Sequence, residues 1–339
     1  MTRRNPFETI KVSGSNYEIG FQIGIRFKNK IKKTLRQSKR LKFLKKVDEK
    51  NPKKFDELNS IGQKYFPKFM EEIEGIAEGS GIEYRDIAIM NFMAAYREGC
   101  TTIVCKQRDR IILGHNEDGA KENLETSFLV IAKPKNGIPF FSFCYPGTLP
   151  GGAFSFNSKG FVQTSNWMPT PDLRVGIPIH LIDRYLLEAK NINDALKRAL
   201  LRRRASGFSY TMVTRKKALN LETTSQKSSI TKITDSYIHT NHYISARLKS
   251  IKQKIYKSSL IRYEKGVRMI KEINDTSSSD ILGILSYPGI FSKVGHARSC
   301  TLCTALFEIS SKGVNLKIYS PKQIKDGKRC MRFSLNDLK

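Results

Sequence analysis

The chain has 339 residues, of which 39% are hydrophobic, and carries a formal charge of +29 from 60 lysines and arginines against 31 aspartates and glutamates. That length suits one large domain or two ordinary ones and allows a sizeable core, while no apolar run reaches the roughly 18–20 residues of a membrane span. The opening residues, MTRRNPFETIKVSG, have charge but no apolar centre of the kind a secretory signal needs, so a cytoplasmic protein is expected.

Taken in chain order, Ile19, Ile23, Phe27, Ile31 and Leu35 recur every four residues and predict a helix from Tyr17 to about Val47. Its surface holds the densest charge, Arg26 to Lys54. Such a stretch can serve an anionic partner, but aromatics do not interleave with it as a base-stacking surface requires. No nucleic-acid partner is expected. An acidic membrane surface is the alternative partner, and a plain solvated helix face is favoured over it. Asn51-Pro52 breaks the helix. A second helix is predicted from Pro52 to Ser80, ended by Gly79-Ser80-Gly81. A third, Tyr84 to Tyr96, leads into Arg97-Glu98-Gly99-Cys100.

The pattern then changes to strands. Thr101–Lys106 and Arg110–His115 read as a hairpin, followed by strands at Thr126–Lys133, Pro139–Tyr145, Ala153–Asn157 and Phe161–Asn166. Helices are predicted at Ile177–Lys190 and Ile192–Arg203. A four-strand meander follows at Gly207–Thr214, Leu219–Thr224, Ser228–Ile233 and Ser236–Thr240. The lysine-rich stretch to Ile273 reads as mostly helical, and Ser299–Ile309 and Gly313–Tyr319 close the chain as strands. Six cysteines occur without a disulfide framework. Cys300 and Cys303 lie three apart on a predicted buried strand, which would point them to opposite faces and makes them core residues rather than a metal or redox pair.

Cys100 stands at the junction of the helical and strand-rich parts. Cutting the Gly99–Cys100 bond would give one residue a thiol nucleophile and an α-amine base, which titrates at about 7.7–8.0. Gly99 leaves the carbonyl of that bond open to attack. Three further stretches bear on it. Asn116-Glu117-Asp118-Gly119 ends the hairpin that Cys100 begins, so Asp118 can return to hold the new amine, although the same residues make an ordinary turn. Pro146 to Gly152 is a Gly- and Pro-rich loop after a strand, where backbone can approach a ligand, and Asn166 precedes the only tryptophan, Trp167. In His239-Thr240-Asn241-His242 the two histidines lack a third ligand at convincing spacing. Asn241 is the better candidate, as a side-chain donor to an oxyanion, with His239 and His242 as packing or supporting groups.

These pieces together resemble the acyl-coenzyme A:6-aminopenicillanic acid acyltransferase family of N-terminal-nucleophile hydrolases, in family order over nearly the whole chain. Gly14-Ser15-Asn16-Tyr17-Glu18-Ile19-Gly20 resembles its G-x-x-Y-E-x-G opening. Glu71 to Gly79 resembles its acidic helix, Arg97-Glu98-Gly99-Cys100-Thr101-Thr102 its R-x-G-C-T-T, Phe156-Asn157-Ser158-Lys159-Gly160 its F-N-S-x-G, and His239 to His242 its H-T-N-H. Asn116-Glu117-Asp118 sits where the family has N-W-D, with Glu117 in place of the aromatic residue.

The resemblance implies an α+β fold, a four-layer αββα sandwich with antiparallel sheets, and one domain over 1–339 cut into a small subunit, 1–99, and a large one, 100–339. It implies Cys100 as nucleophile, Gly99–Cys100 as cleavage site, Asp118 as the carboxylate and Asn241 as the oxyanion donor. Arg97, Asn116, Glu117, Asn166, His239 and His242 are then pocket or supporting residues. The expected activity is that of a self-cleaving amidohydrolase or acyltransferase acting on a small amide or acyl donor through a Cys100 thioester, with no metal and no cofactor. An acyl-coenzyme A thioester is the alternative donor. The alternative outside enzymes is an uncleaved protein that binds membrane surfaces.

Overall fold

A computed structural model of the chain describes residues 5–92, 99–273, 276–293, 299–324 and 329–339, the side chain of Arg40 apart. The elements run β1 (Glu8–Gly14), α1 (Asn16–Gln37), α2 (Lys39–Lys50), α3 (Pro52–Tyr65), α4 (Pro67–Ser80), α5 (Tyr84–Phe92), β2 (Thr101–Lys106) and β3 (Arg110–Ala120). Then come α6 (Asn123–Thr126), β4 (Phe128–Pro134), β5 (Phe140–Cys144), β6 (Phe154–Asn157), β7 (Val162–Trp167), α7 (Ile179–Leu186) and α8 (Ile192–Ala199). The rest are β8 (Phe208–Val213), β9 (Ala218–Thr223), β10 (Ser228–Ile233), β11 (Ser236–His239), α9 (Lys257–Lys271), α10 (Ser278–Ser286), β12 (Ser299–Ser310), β13 (Gly313–Tyr319) and β14 (Met331–Ser334).

The strands form two sheets, ordered β1-β4-β5-β6-β7-β8-β9-β10 and β11-β2-β3-β12-β13-β14. Alternation along single strands builds the layers. On β4, Phe128, Val130 and Ala132 join the core beneath α1, α4 and α7, while Leu129 and Ile131 join the core between the sheets. On the second sheet Leu113 and Phe307 face inward, and Ile112 and Leu306 pack under Ile281 and Leu285 of α10. Three stacked apolar cores between helix, sheet, sheet and helix are the expected αββα sandwich.

Several details differ from the sequence reading. Ser38 and Phe66-Pro67 divide each of the first two predicted helices into two. Ser38 ends α1 in extended backbone and caps α2, its hydroxyl accepting from Leu41 N–H. Pro67 forces Phe66 out of helical geometry and opens α4. The predicted helix 84–96 is followed to Phe92, and its last residues lie outside the described ones. The sheets are antiparallel except for β1, which pairs with β4 in parallel. The fourth strand of the predicted meander, β11, leaves its neighbours and pairs with β2 in the other sheet. Asp118 is strand rather than turn, because β3 runs on to Ala120 against β12. A register shift between Thr301 and Cys303 brings Cys300 and Cys303 into the same core between the sheets, not onto opposite faces.

The acidic helix and the Gly-rich opening owe their sequence to one contact. Gly20 and Gly24 of α1 lie against Gly75 and Gly79 of α4, so closely that a Cβ on Gly20 would stand 2.1 Å from Glu72 O and one on Gly75 2.2 Å from Tyr17 O. Backbone cannot yield as a side chain can. Gly75→Ala is therefore expected to cost about 1–3 kcal/mol of stability, read as a lower Tm. Gly283→Ala, on α10 with open space around its Cβ, is expected to raise stability by about 0.4–1 kcal/mol. Equal effects of the two would refute the close-packing account.

Candidate active site

Cys100 lies at the start of β2, where Thr101 pairs with Asn116 and Thr102 with His115 of β3. The pleat of β3 then sorts its side chains. His115 and Glu117 turn to the inside of the sandwich, the His115 ring lying 6.1 Å from that of Phe154. Asn116 and Asp118 turn outward. Asn116 Nδ2 donates to Leu285 O on α10 and its Oδ1 accepts from Thr304, so this residue pins a helix to the sheet and does not line the site.

On the inner side, Cys100 Sγ stands 3.4 Å from Glu117 Oε2. That oxygen is also 2.9 Å from His115 Nε2, and Glu117 Oε1 accepts from the Tyr145 hydroxyl. Asn166 donates through Nδ2 to His239 O and Thr240 O, which leaves its Oδ1 to accept from the Thr102 hydroxyl. With that proton spent, His115 Nδ1 donates to Thr102 Oγ1 at 2.8 Å. Burial pushes the Cys100 thiol well above its ordinary range, and the Glu117 and Asp118 carboxylates push it further. A base is needed to make it a thiolate.

On the outer side, Asn241 Oδ1 accepts both from the Cys100 backbone N–H, at 2.9 Å, and from Arg262 Nη2, at 2.8 Å. Two donors on one atom fix the amide orientation. Asn241 Nδ2 donates to Trp167 O at 2.8 Å, and its other N–H is the one an oxyanion could use. Arg262 Nη1 donates to Cys100 O and to Thr101 Oγ1. Asp118 accepts from Thr301 at 2.6 Å, and its charge acts on Arg262. A Cβ on Gly99 would meet Arg262 Nη2 at 2.6 Å and Asp118 Oδ2 at 3.5 Å, so glycine before the cysteine is also what lets Arg262 lie on this peptide.

Cys100 thus separates two spaces. The inner cavity measures about 30 Å³ and is walled by Glu117, Tyr145, Trp167, His180 and Asp183, among others. The outer cleft, about 430 Å³, is bordered by Gly99, Asp118, Trp167, Asn241, Arg262 and Lys293. Trp167 is the wall they share.

The family model for acyl-coenzyme A:6-aminopenicillanic acid acyl-transferase matches residues 105–323. The chain belongs to this family. The match takes in Asp118, Asn166, Asn241 and Arg262 and begins just after Cys100. The chain is 30% identical over 224 residues to the beta-alanyl-dopamine/carcinine hydrolase of Drosophila melanogaster, covering 58% of each chain. It is 28% identical over 217 residues to the 40 kDa form of the acyl-coenzyme A:6-aminopenicillanic-acid-acyltransferase of Emericella nidulans, covering 60% of this chain and 59% of that one. The matched part is thus somewhat under three fifths of either relative. Among solved structures, a conjugated bile acid hydrolase from Clostridium perfringens superposes with a TM-score of 0.48 at 11% identity, over 70% of this chain and 92% of that one.

Of the residues the family resemblance singled out, Gly99, Cys100, Glu117, Asp118, Asn166 and Asn241 come together. Arg97 lies outside the described residues. The histidines of the H-T-N-H stretch hold it in place. His239 Nε2 is 2.9 Å from Glu222 Oε1 on β9. His242 Nδ1 meets Ser259 Oγ on α9, the hydroxyl that also accepts from Asn241 N–H. Burial lowers His242 to about 4, so it is neutral at pH 7. The Gly-Pro loop puts Thr148, Leu149 and Gly152 on the inner cavity. Gly147 has φ +81°, and a Cβ on Gly151 would stand 2.5 Å from Asp183 O. Arg262 escaped the sequence reading, as did Asp183. The first is one basic residue in a lysine-rich helix, and the second has no motif around it.

A metal has one candidate place among the described residues. Cys100 Sγ, His115 Nε2 and Glu117 Oε2 lie within 4.8 Å of one another. This is a nitrogen, sulfur and oxygen set that zinc accepts, but the two protein contacts of Glu117 Oε2 already account for the arrangement as hydrogen bonds.

Burial raises both Asp118 and Asp183 to about 7, Asp118 against the pull of Arg262. A carboxyl whose folded value lies above its unfolded one supports folding below the unfolded value, near pH 4. That support is lost as pH rises through about 7. At 1.36 kcal/mol per unit, each costs roughly 4 kcal/mol at most in alkaline solution. Asp183→Asn keeps an acceptor for the Tyr210 hydroxyl, which stands 2.8 Å from Asp183 Oδ1. The variant should lose less Tm than the wild type between pH 5 and pH 8. Parallel curves would show that Asp183 does not titrate there.

Proposed function

We propose that this chain is a self-cleaving N-terminal-nucleophile amidohydrolase or acyltransferase acting on a small-molecule amide or acyl donor through Cys100. The observation that carries this reading is the double engagement of one residue. The Cys100 amide nitrogen is bound by Asn241 in the outer cleft, while its sulfur faces a carboxylate in an enclosed cavity. Family membership and the names of the two curated relatives, a hydrolase and an acyltransferase, support it.

Before the cut there is no α-amine, and the base within reach of the thiol is Glu117. The sulfur bonds to the Gly99 carbonyl carbon, the C–N bond breaks, and the proton ends on the new Cys100 amine. Water then opens the thioester and leaves Gly99 as a carboxylate. In the cut enzyme the α-amine takes the thiol proton and passes it to the leaving amine. Asn241 offers its second amide N–H to the oxyanion. Arg262 holds the Cys100 carbonyl and favours the thiolate by its charge. Water or an acceptor amine ends the cycle, and no metal or cofactor takes part.

Residues 1–99 and 100–339 then form the small and large subunits of one domain. β1 is hydrogen-bonded along β4, and α1 and α4 cover the first sheet, so the pieces stay together after the cut. A catalytic thiol suits a reducing compartment, and the cytoplasm is the proposed location. A second donor class rests on a cleft of about 980 Å³, lined by Lys33, Lys39 and Lys121, that shares Tyr145 and Thr148 with the inner cavity. Glu122 and Glu125 also border it and Glu125 pairs with Lys33, which leaves Lys39 and Lys121 to meet the phosphates of an acyl-coenzyme A thioester.

Purified protein should give two chains that separate only in denaturant, with Cys100 at the new N-terminus, and Cys100→Ala should give one. An active wild type that stays intact would refute the mechanism. Arg262→Lys keeps the charge and loses the fork that binds two acceptors. It should slow both cleavage and turnover at least tenfold, and Asn241→Ala should cost roughly two to three decades in acylation. Unchanged rates in both would remove these residues from the site.

A further inference from the structure

The side chains behind Cys100 hold one another through protons. Asn166 Oδ1 takes the Thr102 hydroxyl proton, so His115 Nδ1 carries a hydrogen and donates it to Thr102. His115 Nε2 faces Glu117 Oε2 at 2.9 Å. An imidazole lone pair and a carboxylate oxygen are both acceptors, so one proton lies between these atoms, on the ring or on the carboxyl. A second proton sits on the Cys100 sulfur, 3.4 Å from the same oxygen. The cluster is therefore neutral and holds two displaceable protons. All three residues are more than nine-tenths buried, and Sγ, Nε2 and Oε2 lie within 4.8 Å of one another.

We propose that Cys100, His115 and Glu117 form an inhibitory site for a divalent cation of the zinc class, which trades places with those two protons. Zinc bonds of about 2.3 Å to sulfur and about 2.0–2.2 Å to nitrogen and oxygen set tetrahedral ligand separations of about 3.4–3.6 Å. The 3.4 Å between Sγ and Oε2 already meets this, and Oε2 has to draw away from Nε2 by about half an ångström. The exchange balances. The cation bonds to the thiolate sulfur, the imidazole nitrogen and the carboxylate oxygen, and both protons leave to solvent. The net charge of the buried cluster stays at zero, so no uncompensated charge is added to the interior. The bonds that orient the ligands are in place beforehand. Thr102 holds the ring with Nε2 inward, and the Tyr145 hydroxyl holds Glu117 Oε1. The inner cavity, about 30 Å³, has room for a water as fourth ligand. Magnesium, which asks for six oxygens, does not suit a sulfur and nitrogen set. With the cation bound, the sulfur cannot attack and Glu117 cannot take a proton. That consequence rests on Cys100 being the nucleophile, whereas the binding does not.

The purified full chain is reduced, stripped with EDTA and titrated with Zn²⁺ against a chromophoric chelator. One equivalent should bind, and Mg²⁺ should not compete for it. Zn²⁺ should slow alkylation of Cys100 by iodoacetamide at least tenfold relative to the partly exposed Cys330, read by peptide mass, and EDTA should restore the rate. Glu117→Gln, which keeps the shape and loses the charge, should weaken binding at least tenfold. A cut chain offers a second chelate, the Cys100 sulfur with its own α-amine, which uses neither His115 nor Glu117. X-ray absorption at the zinc edge tells the two apart in the wild type, without any variant. The proposed site gives one sulfur and one imidazole at the metal, and the amine chelate gives a sulfur without an imidazole. No protection of Cys100, no imidazole at the metal, or an affinity that folded Glu117→Gln leaves unchanged overturns the proposal. Protection with an imidazole at the metal, in a chain that never cuts itself, keeps the metal site and defeats the N-terminal-nucleophile reading instead.

Discussion

One oxygen atom, Asn241 Oδ1, ties the site together. It accepts from the Cys100 amide and from Arg262, and so joins the start of β2, the loop after β11 and helix α9. A buried guanidinium is tolerable only when its donors are met and its charge is opposed. Here Cys100 O, Thr101 Oγ1 and Asn241 Oδ1 take the donors, and Asp118 opposes the charge. Removing any of these acceptors leaves a buried donor of Arg262 unmet. The arrangement around the Gly99–Cys100 peptide is therefore also the arrangement that keeps α9 on the sheet, and the chemistry proposed for that peptide shares its bonds with stability.

The loop that carries Asn241 is held by groups that do no chemistry. Glu222 on β9 takes His239 Nε2 and the backbone N–H groups of Ile244 and Ser245. Ser259 takes the Asn241 N–H. β11 crosses from one sheet to the other at this point, and the bonds to Glu222 and Ser259 fix where it ends. The oxyanion role proposed for Asn241 needs this support, because a small misplacement of a positioned group is expensive in rate.

The sequence was legible where periodicity or a short motif carried the information. The three-, four- and two-residue spacings named the helices and strands and hence the layers, and the ordered motifs brought Cys100, Asp118 and Asn241 into one site. It was illegible where a long-range partner decided. Nothing local says that β3 continues past His115, because β12, nearly two hundred residues later, supplies the pairing. The same strand shifts register beside Cys303, which put both cysteines of the CxxC into one core. β11 joins the other sheet for a reason local pattern does not hold. Arg262 resembles the lysines and arginines around it until its burial and three acceptors are seen. Asp183 sits on a short amphipathic helix like any acid.

The contrast between surface and cavity explains why the overall charge says little about the reaction. The excess of 29 positive charges is set largely in water, where opposite ions screen it over about 8 Å. Part is already paired, as Arg26 and Lys30 are with Glu8, and Lys45 with Asp86. Next to the sulfur the medium is protein, and burial itself disfavours the thiolate. The Glu117 and Asp118 carboxylates add to that effect and Arg262 opposes it. Across the pleat of β3 the sign balance changes within one residue. Glu117 faces the closed side against the Cys100 thiol, the His115 ring and the Tyr145 hydroxyl, and Asp118 faces the open side against Arg262. A chain with a strongly basic exterior can therefore carry an acidic inner pocket and a basic outer cleft on the two sides of one cysteine, and it is the local pair, not the sum, that a substrate meets.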